Sequence, residues 1–99
     1  MAMFEETAAG QGRLSGKLDM HSSGKLLAPL TARAARAPLQ LDLSGVTEAD
    51  SSAVALLLAC RRAAEQAGQQ LLLQNWPARL SDLVELYALR ALLASPQGD

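Results

Sequence analysis

The chain has 99 residues, 49% of them hydrophobic and only 3% aromatic, with a net charge of −1. That length supports a single domain, read here as residues 1–99 with an ordered core over 3–93, packed from Leu, Ala and Val. Near-neutral charge without a block of like charges points away from binding to nucleic acid or to an anionic membrane.

Taken in chain order, Met3 to Glu6 reads as a short edge strand and Gly10-Gln11-Gly12 as a turn. Arg13 to Leu18 reads as a second strand interrupted by Gly16, and His21-Ser22-Ser23-Gly24 as a loop entering a helix. The Ala- and Leu-rich stretch Lys25 to Arg36 is expected to be the first helix. Pro29 is then tolerated because it falls near the first turn, where amide groups have no internal partner. Lys25, Arg33 and Arg36 fall on a mildly basic helix face, read as solvated.

Pro38 ends that helix. Leu39, Leu41 and Leu43 alternate with Gln40 and Asp42, the signature of a strand with one wetter face. A short polar turn follows, and Asp50-Ser51-Ser52-Ala53 opens the main helix, Ser51 to Ala67. Ala53, Leu56, Leu57, Cys60 and Ala64 face the core by spacing, while Arg61, Arg62, Glu65 and Gln66 supply the solvent side. Gly68 sits at the expected C-terminal cap. Leu71 to Leu73 reads as a strand covered on both faces. Asn75 and Pro77 mark the entrance to a last helix, Ala78 to Leu89, with Leu80, Leu83, Val84 and Tyr87 buried, before a polar tail over Ala94 to Asp99. Strands alternating with helices imply an α/β fold: a mostly parallel sheet of four to five strands with helices mainly on one face.

Little in the chain can perform chemistry. His21 is the lone histidine and Cys60 the lone cysteine, so no disulfide forms within the chain and no metal-ligand set is available. The serines lack a Gly-x-Ser-x-Gly elbow. Gly10-x-Gly12-x-x-Ser15 lacks the third glycine of a dinucleotide loop, and no Gly-Lys-Ser/Thr phosphate loop is present. The expectation is a non-enzyme without cofactor or metal. The first twenty residues include Glu5, Glu6, Arg13 and Lys17 and lack an apolar signal core, and the longest apolar run, Ala53 to Cys60, falls well short of the ~20 residues that span a bilayer. A cytoplasmic protein is expected.

Ser51 stands out. Its residue chemistry fits a helix N-cap, a role open equally to Asp50 or to Thr47. It also fits an exposed hydroxyl that touches a partner or accepts a phosphoryl group. Trp76, in the turn Asn75-Trp76-Pro77, is read as a half-buried plug rather than a partner anchor.

Leu41-Asp42-Leu43-Ser44-Gly45-Val46 followed by Asp50-Ser51-Ser52-Ala53 resembles the signature of the STAS domain family, in which Asp-Ser-Ser-Gly opens the second helix. Gly16-Lys17-Leu18-Asp19, Ala55-Leu56-Leu57-Leu58 and the stretch Leu83 to Leu89 extend the resemblance over nearly the whole chain. Within the family these pieces most resemble the STAS subunits of bacterial Mla phospholipid transporters. The resemblance implies a subunit that binds a cytoplasmic, MlaF-like ABC transporter ATPase within a complex containing a membrane permease, at the inner membrane, supporting outer-membrane lipid asymmetry. It also implies that Ser51 lies at the partner interface with Asp50 and Ser52. Ala53 departs from the family glycine. The first helix lacks an aromatic residue, and Leu26, Leu30 and Thr31 are expected as an alternative contact patch. The rival implication is an anti-sigma-factor antagonist switched by phosphorylation of Ser51.

Overall fold

The alternating Leu39, Leu41 and Leu43 form the inward face of β3 (Leu39–Ala49), the longest strand of the computed structural model, which describes residues 2–86. On its two sides lie β2 (Gln11–Leu18) and β4 (Leu71–Gln74), both parallel to it, and β1 (Ala2–Ala8) pairs antiparallel with β2. The described sheet therefore runs β1-β2-β3-β4 and is mixed, its antiparallel edge made by the hairpin at Ala9-Gly10. The helices α1 (Met20–Arg36), α2 (Ser51–Gln66) and α3 (Ala78–Leu86) complete the described chain.

One apolar cluster joins these layers. Leu14 and Leu18 of β2, the three β3 leucines, Leu30 and Ala34 of α1, five apolar positions of α2 that the spacing assigns inward, and Leu80 and Val84 of α3 are all buried. Gln40 and Ser44 point to the opposite, exposed side of β3, as alternation requires. Trp76 is half-buried and packs against the cluster, so it acts as a plug. Gly68, at φ +70°, takes the left-handed position after α2 that a side chain would resist. Tyr87, Leu89 and the tail Ala94 to Asp99 lie outside the described residues.

Five local expectations are corrected. First, α1 begins at Met20 rather than Lys25. Asp19 is its N-cap: the carboxylate accepts from Ser22 N at 2.9 Å while Ser22 Oγ accepts from Asp19 N at 3.0 Å. This reciprocal box turns His21 to Gly24 into helix. Pro29 consequently sits mid-helix, where it has no amide hydrogen to offer the Lys25 carbonyl.

Second, the polar stretch Ser44 to Ala49 is not a turn but the continuation of β3, paired with β2 as far as Leu18 and Ala49. Register shifts in the β2–β3 pairing move the buried positions from a two-residue to a three-residue step, Leu43, Val46, Ala49, which hides the strand from any alternation test.

Third, β4 is an edge strand among the described residues, and Leu72 is only half-buried between buried Leu71 and Leu73. Fourth, Arg33 is no part of a solvated strip: it is 5% exposed and forks onto Glu6, with Nε and Nη2 each 3.0 Å from a carboxylate oxygen. Fifth, Arg61 is buried, and its Nη1 donates to the Leu71 carbonyl at 2.7 Å, tying α2 to β4.

Gly45 explains itself by proximity. A Cβ there would lie 2.8 Å from Ser15 Cβ and 3.1 Å from the Leu14 carbonyl oxygen on the neighbouring strand. Gly45→Ala is expected to cost about 1–2 kcal/mol through this forced separation of β2 from β3, read as a lower urea midpoint. An unchanged midpoint would show that the strands part without penalty.

Candidate partner-binding surface

Parallel strands deliver both helix entrances to one end of the sheet. Asp19 follows the last residue of β2 and caps α1; Asp50 follows the last residue of β3 and caps α2. Asp50 N donates to the Leu18 carbonyl at 3.2 Å, which fixes the two exits side by side. The cap of α2 is Asp50 rather than Ser51 or Thr47: its Oδ1 accepts from Ser52 N at 2.8 Å and also from Ser52 Oγ. Ser52 Oγ in turn lies 3.3 Å from Ser23 Oγ of α1, bridging the first turns of the two helices.

These bonds leave Ser51 with no structural task. Its residue is exposed at the first position of α2, and its hydroxyl makes no hydrogen bond among the described residues. A hydroxyl not spent on capping remains available to an outside group.

Beside it runs a groove of about 310 Å³ between α1 and α2. Met20 and Leu27 stand on its α1 side, 79% and 44% exposed, with Ser23 and Gly24 between them. Ser52, Ala55, Leu56 and Ala59 form the α2 side. Small residues thus meet two large exposed apolar side chains, and Asp50 and Ser51 lie at the end where both helices start. Gly24 is helical yet has open space where a Cβ would be, so nothing inside the described chain demands glycine there. In a helix interior that choice costs about 1 kcal/mol relative to alanine.

The expected apolar patch on α1 is relocated accordingly. Leu30 is fully buried in the core and offers no surface; Leu26, four residues earlier on the same face, is half-buried against it. Thr31 turns its hydroxyl back onto its own helix, donating to the Leu27 carbonyl at 2.7 Å. The wall of the groove follows the phase Met20, Gly24, Leu27, with Ser23 buried at its floor. That phase was readable from the sequence only by starting the helix at Met20, which the Asp19-x-x-Ser22 spacing signals.

A larger cleft, about 530 Å³, opens at the same end of the sheet among Lys17, Asp19, Thr47, Glu48, Asp50 and Arg79. Lys17 Nζ pairs with Glu48 at 3.8 Å, both exposed. Among the described residues, no group of three or more His, Cys, Asp or Glu is arranged to hold a metal, and no helix is long and apolar enough to cross a membrane.

The family model described as "Mlab, STAS domain" matches residues 4–94. The chain belongs to the STAS domain family. Among solved structures, this STAS domain superposes on "Structure of the Anti-Sigma Factor Antagonist SpoIIAA in its Unphosphorylated Form" with a TM-score of 0.71. The alignment covers 93% of this chain and 84% of that one at 18% identity, a likeness of fold. A search of curated protein sequences finds no match. STAS domains are generally regulatory or assembly domains, which accords with a site built from a hydroxyl and an apolar groove.

Cys60 of this STAS domain is a core residue. It is 1% exposed, and burial pushes its thiol from an ordinary 9.0 up to about 12. The thiolate that reacts with alkylating reagents is therefore scarce at neutral pH. Native protein at pH 8 is expected to resist a thiol reagent for as long as it stays folded and to take up one equivalent in denaturant. Rapid native labelling would show α2 opening from the core.

Proposed function

We propose that this STAS domain is a non-catalytic regulatory or assembly subunit of an Mla-like ABC phospholipid transporter. It binds the MlaF-like cytoplasmic ATPase subunit through the start of α2 and the groove between α1 and α2. The observation that carries this reading is the exposed Ser51 hydroxyl, unbonded among the described residues, beside an apolar groove walled by exposed Met20 and Leu27. The MlaB label of the matching family model supports the choice of partner. In this reading the protein sits at the cytoplasmic side of the inner membrane through its ATPase and permease partners, and serves outer-membrane lipid asymmetry.

The second reading, an anti-sigma-factor antagonist switched by phosphorylation of Ser51, is supported by the likeness to SpoIIAA and by the same exposed hydroxyl. A phosphoryl group there adds roughly −1.5 to −2 charges. The α2 N-terminus favours that charge and neighbouring Asp50 opposes it, so its effect falls mainly on a docked partner.

Affinity purification at native expression level, with mass spectrometry of stoichiometric partners, separates the two. An ABC ATPase with its permease supports the first reading; a serine kinase or sigma-regulatory protein replaces it with the second. Ser51→Glu and Ser51→Arg are each expected to weaken ATPase binding about tenfold or more with an unchanged unfolding midpoint, because Ser51 carries no cap. Normal binding by both variants would remove Ser51 from the interface.

A further inference from the structure

We draw no further inference here: the strongest candidate, the cleft where β2 and β3 end beside Arg79, joins two aspartate-capped helix N-termini to Glu48 and Lys17, and no second feature among the described residues points to a ligand for it.

Discussion

Leu27→Glu is expected to weaken binding of the proposed ATPase partner at least tenfold, with little change in the stability of the isolated domain. Leu27 lies on α1 at the wall of the groove and is 44% exposed in the free chain. If the partner covers that surface, truncation or charging of a central apolar contact costs about 2 kcal/mol or more, which is roughly 30-fold in affinity. Glutamate retains good helix propensity, so α1 itself tolerates the change. Leu30→Glu makes the contrast: that side chain is fully buried, and a carboxylate there would unfold the domain rather than report on an interface. Titration of the purified ATPase against folded Leu27→Glu protein is the measurement. Wild-type affinity would move the interface off the α1–α2 groove even if Ser51 variants fail to bind.

Arg33→Ala is expected to lower the unfolding free energy by about 2–3 kcal/mol. Arg33 ties three segments together: it forks onto Glu6 of β1, donates to the Ala37 carbonyl at 3.0 Å, and reaches the Pro38 carbonyl at 3.3 Å. Most of the cost lies in the lost bonds to those two carbonyls and in the packing of the buried stem, since the Glu6 carboxylate is partly exposed and water can replace its partner. The pair also sets a pH dependence. The Arg33 hydrogen bond, aided by the charges of Arg33 and Arg36, holds Glu6 below its ordinary pKa against the opposing effect of desolvation. A carboxylate with a depressed folded pKa binds fewer protons folded than unfolded. Its contribution is present above the unfolded pKa, near pH 4 in round terms, and is lost as pH falls through the folded value. Asp19, held down first by the Ser22 backbone amide, and Asp42, by the Ser44 amide, act in the same direction. Wild-type stability is therefore expected to fall below about pH 4.5, and Arg33→Ala to show a shallower acid limb. An Arg33→Ala protein with the wild-type midpoint and acid limb would show that the fork does not stabilise the fold.

The sequence made the βα alternation legible because its signals were local and unbroken. Leu39, Leu41 and Leu43 step by two, Ala53 to Ala64 step by a helical period, and Gly68 ends α2; all three landed as expected. The errors have separate physical causes. Where a backbone irregularity changed the step, as at the register shifts opposite Ser44 to Ala49, a strand looked like a turn. Where a capping box overruled the presence of Gly24 and Pro29, a helix looked like a loop. Arg33 and Arg61 looked solvated because composition carries no record of a carboxylate or carbonyl reached across the fold.

The candidate site was half legible. Asp50, Ser51 and Ser52 were found by motif, and the structure places them together at the entrance of α2. Their division of labour was not readable: that Asp50 does the capping, that Ser52 bonds Ser23, and that Ser51 consequently has no hydrogen bond among the described residues depends on Asp50 N reaching the Leu18 carbonyl and setting the two helix starts in register. The groove likewise needed α1 and α2 in place, because Met20 and Leu27 become its wall only when Leu26 and Leu30 turn inward.

By itself, the sequence determined the alternation of elements, the composition of the core and the family motif, since those rest on residue spacing and local backbone preference. The tertiary structure alone decided which hydroxyl is unspent among the described residues and which arginines are buried. Each of those depends on groups far apart in the chain meeting or failing to meet, and spacing within one segment does not encode the orientation of its neighbour.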